Sequence, residues 1–157
     1  MQSSSNLPNV VILDRITDPH NVGAILRSAE VFGASAVLGT KHHSAPETGA
    51  LAKAASGALE RQPYIRVRNL ADTILELKKM GFVALGLDAT GERDISDAAK
   101  LYFDRPIALV MGAEGPGLRS RTKEVVDELV RIKPVSSFGS LNVSNAAAVG
   151  LNSITAL

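Results

Sequence analysis

Glu114 is a lone carboxylate in the glycine-rich turn Gly112-Ala113-Glu114-Gly115-Pro116-Gly117, which ends the apolar run Leu109-Val110-Met111. Glycine lets a backbone turn left-handed and approach a ligand closely, because it has no Cβ to clash. In open α/β sheets, ligands gather at the carboxyl ends of strands, where such turns sit. Glu114 is therefore placed to touch a ligand, as general base or hydrogen-bond acceptor. Its competing use is to satisfy N–H groups of the turn itself.

Two other segments carry polar groups in places that suit chemistry. In Asp18-Pro19-His20-Asn21-Val22-Gly23-Ala24-Ile25-Leu26-Arg27-Ser28-Ala29, the Asp-Pro pair breaks a strand and opens a helix. Asn21 lies near that helix's start. Arg27 follows six residues later among Ala24, Ile25, Leu26 and Ala29, a setting in which a cation needs an anionic partner. The other segment, Ser140-Leu141-Asn142-Val143-Ser144-Asn145, opens the last helix with four hydrogen-bonding side chains. Helix starts leave N–H groups free for polar ligand atoms, or for ordinary capping by these same residues.

The elements that must position these groups alternate between strands and helices. Strands are expected at Val10–Leu13, Ala36–Leu38, Tyr64–Val67, Phe82–Leu87, Ile107–Met111 and Leu129–Ile132. Helices are expected at Asn21–Phe32, Glu47–Leu59, Leu70–Met80 with Gly81 at C′, and from about Val143 to Leu157, while Thr122–Val126 continues into the Leu129–Ile132 strand. Alternation with apolar strands predicts an α/β domain, a mostly parallel sheet with helices on both faces. Residues 9–157 read as that domain and residues 1–8 as a tail or linker remnant. The last helix stops without a capping glycine, as in a domain cut from a longer protein.

Composition narrows the function classes. The 157 residues include 17 basic and 16 acidic side chains, a net charge of +1 that does not by itself advertise a nucleic-acid partner. Aromatics are 4%, so base-stacking platforms are few. There is no cysteine, which removes disulfides and thiolate metal sites and fits the cytoplasm. No apolar run nears the ~18 residues of a membrane span. His42-His43 lacks metal-ligand spacing and reads as an exposed loop, so no metal is expected. Arg61, Arg66 and Arg68 around Tyr64 make a basic strand edge or a solvated one. Arg119, Arg121 and Lys123, just past the Glu114 turn, have the stronger claim on a polyanion.

The stretches HNVGAILRSAEVFGA, LVMGAEGPGL and SLNVSNAAAVG, in this order and spacing, resemble the SpoU–TrmH family of RNA ribose 2′-O-methyltransferases in the SPOUT superfamily. The likeness runs from about Val11 to the end. It implies a C-terminal trefoil knot, a homodimer, S-adenosylmethionine held in the knot, and RNA as substrate, ribosomal rather than transfer RNA. It implies catalytic roles for Asn21, Arg27, Glu114, Ser140 and Asn142. Around the cofactor it places Gly112, Ile132 and Leu141, with the strand end Leu87-Asp88-Ala89-Thr90 lining the same pocket.

The family assigns removal of the 2′-hydroxyl proton to the arginine. Because arginine holds its proton at a pKa above ~12, Arg27 is expected to clamp a phosphate and orient the hydroxyl instead. The dimer is expected to join the first and last helices, through the small residues Gly23, Ala24, Ala146, Ala147, Ala148 and Gly150. Lys133-Pro134 and Asn145 depart from the family pattern, at the adenine loop and at the last helix. Many relatives carry a separate N-terminal RNA-binding domain, so weak RNA binding is expected of this chain alone. The alternatives are a transfer-RNA enzyme, a binding and dimerisation module without turnover, or another nucleotide enzyme using Glu114 as base.

Overall fold

A computed structural model describes residues 7–42, 45, 48–113, 115–134 and 141–156. Its elements in chain order are β1 (Val10–Asp14), α1 (Pro19–Val31), β2 (Ala36–Thr40), α2 (Gly49–Ala55), α3 (Ala58–Arg61), β3 (Tyr64–Val67), α4 (Leu70–Lys79), β4 (Val83–Leu87), β5 (Arg93–Asp94), α5 (Ile95–Leu101), β6 (Ile107–Gly112), α6 (Ser120–Val125), β7 (Glu128–Arg131) and α7 (Val143–Thr155). The strands form one sheet in the order β3-β2-β1-β6-β4-β7-β5. Every strand pair in it is parallel.

Alternation along the strands builds two cores. Val11 and Leu13 of β1 with Leu109 and Met111 of β6 face a layer from α1, α2, α5 and α7, including Ile25, Leu26, Leu51, Ala98 and Leu151. Val10, Ile12, Ala108 and Val110 face the other way, onto Leu70 and Ile74 of α4 and Val125 of α6. Central strands buried on both faces must be apolar throughout, and β1 is fully buried along its length.

Most expected elements stand within a few residues of their expected bounds. α1 starts at Pro19, where the Asp-Pro pair opens it and two residues before the periodic stretch from Asn21, because Asp18 caps it by accepting from the His20 N–H at 2.8 Å. α4 ends in a Schellman turn: Gly81, at φ 101°, donates to the Lys78 carbonyl and Phe82 donates to that of Leu77. The single helix expected over Glu47–Leu59 is in fact two. Ser56 and Gly57 both turn left-handed, at φ 52° and 86°, and end the alanine-rich run there. β5 and α5 were not expected; a two-residue strand and a seven-residue helix are too short to show a period.

The chain winds β1, β2, β3 toward one edge, then restarts at β4 beyond β6. The reversal falls between β1 and β6, whose carboxyl ends meet with Asp14 level with Gly112. Continuing each pairing past the strand ends puts Arg68, Lys41, Arg15, Ala113, Ala89 and Ile132 on one level.

Candidate active site

The polar groups collect at this reversal, where ligands bind in parallel sheets. Asp14 is fully buried, yet it ends an otherwise apolar strand. Its carboxylate accepts from Arg119 twice, from the backbone N–H at 2.9 Å and from Nε at 2.6 Å. These bonds pull the chain leaving the glycine turn onto the end of β1. Arg119, expected to offer its charge to a polyanion, is thus committed to a buried carboxylate. The signal for the pair was a carboxylate closing an apolar strand.

Between β6 and Arg119 the chain folds back on itself. Ala113 and Gly117 form an antiparallel bridge, the Gly117 N–H donating to the Ala113 carbonyl at 2.8 Å. Gly115 and Gly117 lie at φ 82° and 69°. A Cβ on Gly112 would stand 2.3 Å from the Gly117 carbonyl carbon, so only glycine fits beneath the returning chain. Glu114, expected to act here, lies outside the described residues, as does Ser140.

The expected cofactor positions are brought together in part. Leu87 pairs with Met111 of β6 and Val130 of β7. Asp88 therefore lies beside Gly112, and Ala89 beside Ile132. The Asp88 carboxylate accepts from the Thr90 N–H at 3.0 Å and from the Thr90 hydroxyl. Burial tends to raise the Asp88 pKa, but the two Thr90 bonds and the Lys123 charge outweigh it and hold it below the usual carboxylate value. Gly91 then presses flat on β7, since a Cβ there would stand 2.6 Å from the Val130 carbonyl carbon. Leu141 is exposed and is placed only through its neighbour Asn142.

Asn142 and Asn21, far apart in sequence, meet. The Asn142 Nδ2 donates to the Asn21 Oδ1 at 3.2 Å, tying the start of α7 to the first turn of α1. The Asn142 Oδ1 also caps α7, accepting from the Ser144 N–H at 2.9 Å and from the Ser144 hydroxyl. Capping and positioning are therefore the same residue's work.

Arg27 is not embedded among its apolar sequence neighbours. Val22, Ile25, Leu26 and Ala29 form the buried face of α1, and helical geometry turns residue 27 away from it. Arg27 is exposed and makes no ion pair among the described residues. Of the six small residues expected at a dimer interface, Gly23, Ala147 and Gly150 are engaged within the chain. A Cβ on Gly23 would stand 2.6 Å from the Ala54 Cβ, and one on Gly150 2.9 Å from a Leu109 methyl. Ala147 is fully buried. Gly23 and Gly150 allow packing within the chain, against α2 and β6.

The basic strand edge resolves residue by residue. Arg61 pairs with Glu30 at 2.6 Å. Arg66 stacks 4.6 Å over the Tyr64 ring and donates to the Ala45 carbonyl. Only Arg68 of the three is unengaged among the described residues. A cavity of about 360 Å³ opens at the other end of the sheet, lined by Val31, Phe32, Tyr102, Phe103 and Ile107. Its polar side chains are spent elsewhere: Arg105 on the Gly81 carbonyl, Tyr102 on Glu128. Among the described residues no cluster of three His, Cys, Asp or Glu could hold a metal, and no helix is long and apolar enough to cross a membrane.

The sequence matches the SpoU rRNA Methylase family over residues 8–152. It is 48% identical to the 23S rRNA (guanosine-2′-O-)-methyltransferase RlmB of Ralstonia nicotianae, over 92% of this chain and 57% of that protein. It is 43% identical to RlmB of Neisseria meningitidis serogroup B, over 97% of this chain and 60% of that one. The solved structure of the SpoU methyltransferase AviRb from Streptomyces viridochromogenes in complex with AdoMet superposes with a TM-score of 0.83. That match has 30% identity and covers 95% of this chain and 57% of AviRb. The chain spans under two thirds of the length of these relatives. With the likeness covering nearly all of its own residues, this chain belongs to the SpoU rRNA Methylase family.

Proposed function

We propose that this chain transfers a methyl group from S-adenosylmethionine to a ribose 2′-hydroxyl of ribosomal RNA, at a guanosine. The observation that carries the reading is the Asn142–Asn21 bond, set beside strand ends whose backbone is open to a ligand. The relatives named as 23S rRNA guanosine methyltransferases favour ribosomal over transfer RNA.

The residues fit the cofactor. Ala89, Thr90 and Gly115 are exposed, with side chains too small to cover the polar backbone at this end of the sheet, and Leu87 and Ile132 offer half-buried apolar walls. Such a lining suits an adenosyl group gripped by main-chain hydrogen bonds. S-adenosylmethionine, when bound, supplies a methyl on a sulfonium, so displacement in line depends on position. Asn21 and Asn142 hold the starts of α1 and α7 together and present amide groups to the ribose. Arg27, free of ion pairs among the described residues, clamps the target phosphate and keeps its own proton, so the 2′-hydroxyl proton leaves to water as the oxygen takes the methyl. Glu114 and Ser140 complete the polar set.

The reading includes a trefoil knot in the C-terminal part, supported by loop 88–92 lying over the β7 backbone at Gly91. It also includes a homodimer. With Gly23, Ala147 and Gly150 used internally, the outer sides of α1 and α7 remain for that contact, with Val31 and Val149 exposed. The setting is the cytoplasm, where ribosomal RNA is modified.

The test is incubation with tritiated S-adenosylmethionine and 23S ribosomal RNA transcribed in vitro. Label at a guanosine 2′-oxygen is the expected result. Binding of the donor with no label in any RNA would leave a module without turnover and overturn the proposal.

A further inference from the structure

Three cations stand where three neighbouring strands end. Arg15, Lys41 and Arg68 are each the first residue past β1, β2 and β3. The register makes them level: Ile12 pairs with Leu38 and Thr40 with Val67, so Arg15 follows beside Lys41 and Lys41 beside Arg68. The Lys41 N–H donates to the Val67 carbonyl at 2.8 Å, which continues the ladder into this row. All three residues are exposed, and none makes a side-chain hydrogen bond or ion pair among the described residues.

Among the described residues, the carboxylates next to Arg15 in sequence are already engaged. Asp14 is held by Arg119, and Asp18 caps α1. Arg15 also holds a left-handed backbone, at φ 60°, which a non-glycine residue adopts at a cost. On the same level, beyond β1, come Ala113, Ala89 and Ile132, none of them charged. The end of the sheet is thus divided. One half has no charged residue on this level among the described residues; the other carries three cations that have no ion partner among them.

We infer that Arg15, Lys41 and Arg68 form a phosphate track that holds the RNA strand flanking the target nucleotide. The inference rests on the methyl-transfer reading and adds where the polyanion lies. Two strand spacings, about 10 Å, separate the row's ends, which suits a short run of backbone phosphates. The row begins at Arg15, on the segment that leads into Asn21. A strand lying on it enters the site from the β3 edge. Tyr64, the aromatic of β3, is covered by Arg66, so the track reads backbone charge and not base identity.

The variant Arg15→Asn/Lys41→Gln/Arg68→Gln tests it, asparagine being chosen because it tolerates left-handed backbone. Affinity for a short single-stranded RNA is measured against salt concentration, beside donor affinity by calorimetry and KM for 23S ribosomal RNA. Loss of three phosphate contacts lowers the slope of log affinity against log salt by about 2. KM for RNA should rise at least tenfold while donor affinity stays at the wild-type value. Lys100→Gln, a charge removed from α5 outside the row, should leave the slope unchanged. A triple variant with the wild-type slope and KM overturns the track. If wild-type protein transfers no methyl, the functional reading fails, yet the slope alone still upholds or overturns the row.

Discussion

The carboxylate of Asp14, buried at the end of β1, holds both the backbone N–H and the Nε of Arg119 across 105 residues of sequence. That pair of hydrogen bonds fixes where the chain goes after the glycine turn. It ties the central strand to the loop that frames the site.

Asp14→Ala should therefore cost about 3 kcal/mol, because it removes two hydrogen bonds to a charged group and leaves the Arg119 backbone N–H without its acceptor, while the Arg119 side chain, 40% exposed, turns to water. In a chain of this size the melting temperature should fall by about 10 °C. Asp14→Asn, which keeps the shape and one acceptor, should lose less. Urea titration of the three proteins checks the order; a cost below about 0.5 kcal/mol for alanine would place the pair among surface ion pairs of little worth.

Gly112→Ala should disable donor binding. The new Cβ would meet the Gly117 carbonyl carbon at 2.3 Å, and backbone cannot yield as a side-chain tip can. The turn must move, at a strain cost of about 1–3 kcal/mol. Calorimetry should show affinity for S-adenosylmethionine reduced at least tenfold. Gly49→Ala is the matched control, since nothing lies within 4 Å of its Cβ position. It should bind as wild type does.

Asn142 serves two ends, and two substitutions separate them. Asn142→Asp keeps the oxygen that caps α7 but removes the Nδ2 donor to Asn21. Stability should stay within about 0.5 kcal/mol of wild type while methyl transfer falls at least tenfold. Asn142→Ala removes both functions and should lose about 1 kcal/mol as well. Equal transfer rates for the Asn142→Asp variant and the wild-type protein would deny the amide bond a part in the reaction.

Asp88 should show its surroundings in acid. Burial works against its charge, but the Thr90 bonds and Lys123 prevail and lower its pKa. A carboxyl lower in the folded state than its ordinary ~3.9 stabilises the fold above that value. That contribution disappears as pH falls through the folded value. Thr90→Val removes the hydroxyl donor, so the Asp88 carboxyl should titrate at higher pH, which NMR of the side-chain carbon measures directly. An unmoved titration would mean the hydroxyl contributes nothing.

Gly23→Ala should act on the fold and not on association. Its Cβ would stand 2.6 Å from the Ala54 Cβ and 2.7 Å from the Leu51 carbonyl oxygen, within the same chain. A loss of about 2 kcal/mol is expected. Sedimentation should give the mass of the wild-type protein. A changed mass with unchanged stability would return this glycine to a subunit interface.

Strands were legible wherever burial on both faces forces an unbroken apolar run, as in Val10–Leu13 and Ile107–Met111. α4 was legible because Gly81 marks its end. The break at Ser56-Gly57 was not, since alanines on both sides read as one helix and only the left-handed turn divides them. β5 and α5 fell below the length at which periodicity speaks.

The candidate site was legible in part, through residue types in order. Asn21 with Asn142, and Gly112 with Asp88, are neighbours in the structure. Arg27 reads as embedded in sequence, but its apolar sequence neighbours lie on another face of the helix. Arg119 reads as available for a polyanion, because its partner Asp14 is remote in sequence. The local trace of such a pairing is one-sided: Asp14 closing an apolar strand marks a buried carboxylate but does not name its partner.

The common level of the strand ends has one more consequence. A residue inserted into β1 or β2 would slide one charge along its strand by about 3.3 Å and turn the following side chains to the opposite face. Loops elsewhere can lengthen without moving these groups, whereas the strands on this half of the sheet behave as a ruler. Change in this region is thus confined to exchanging side chains at fixed length.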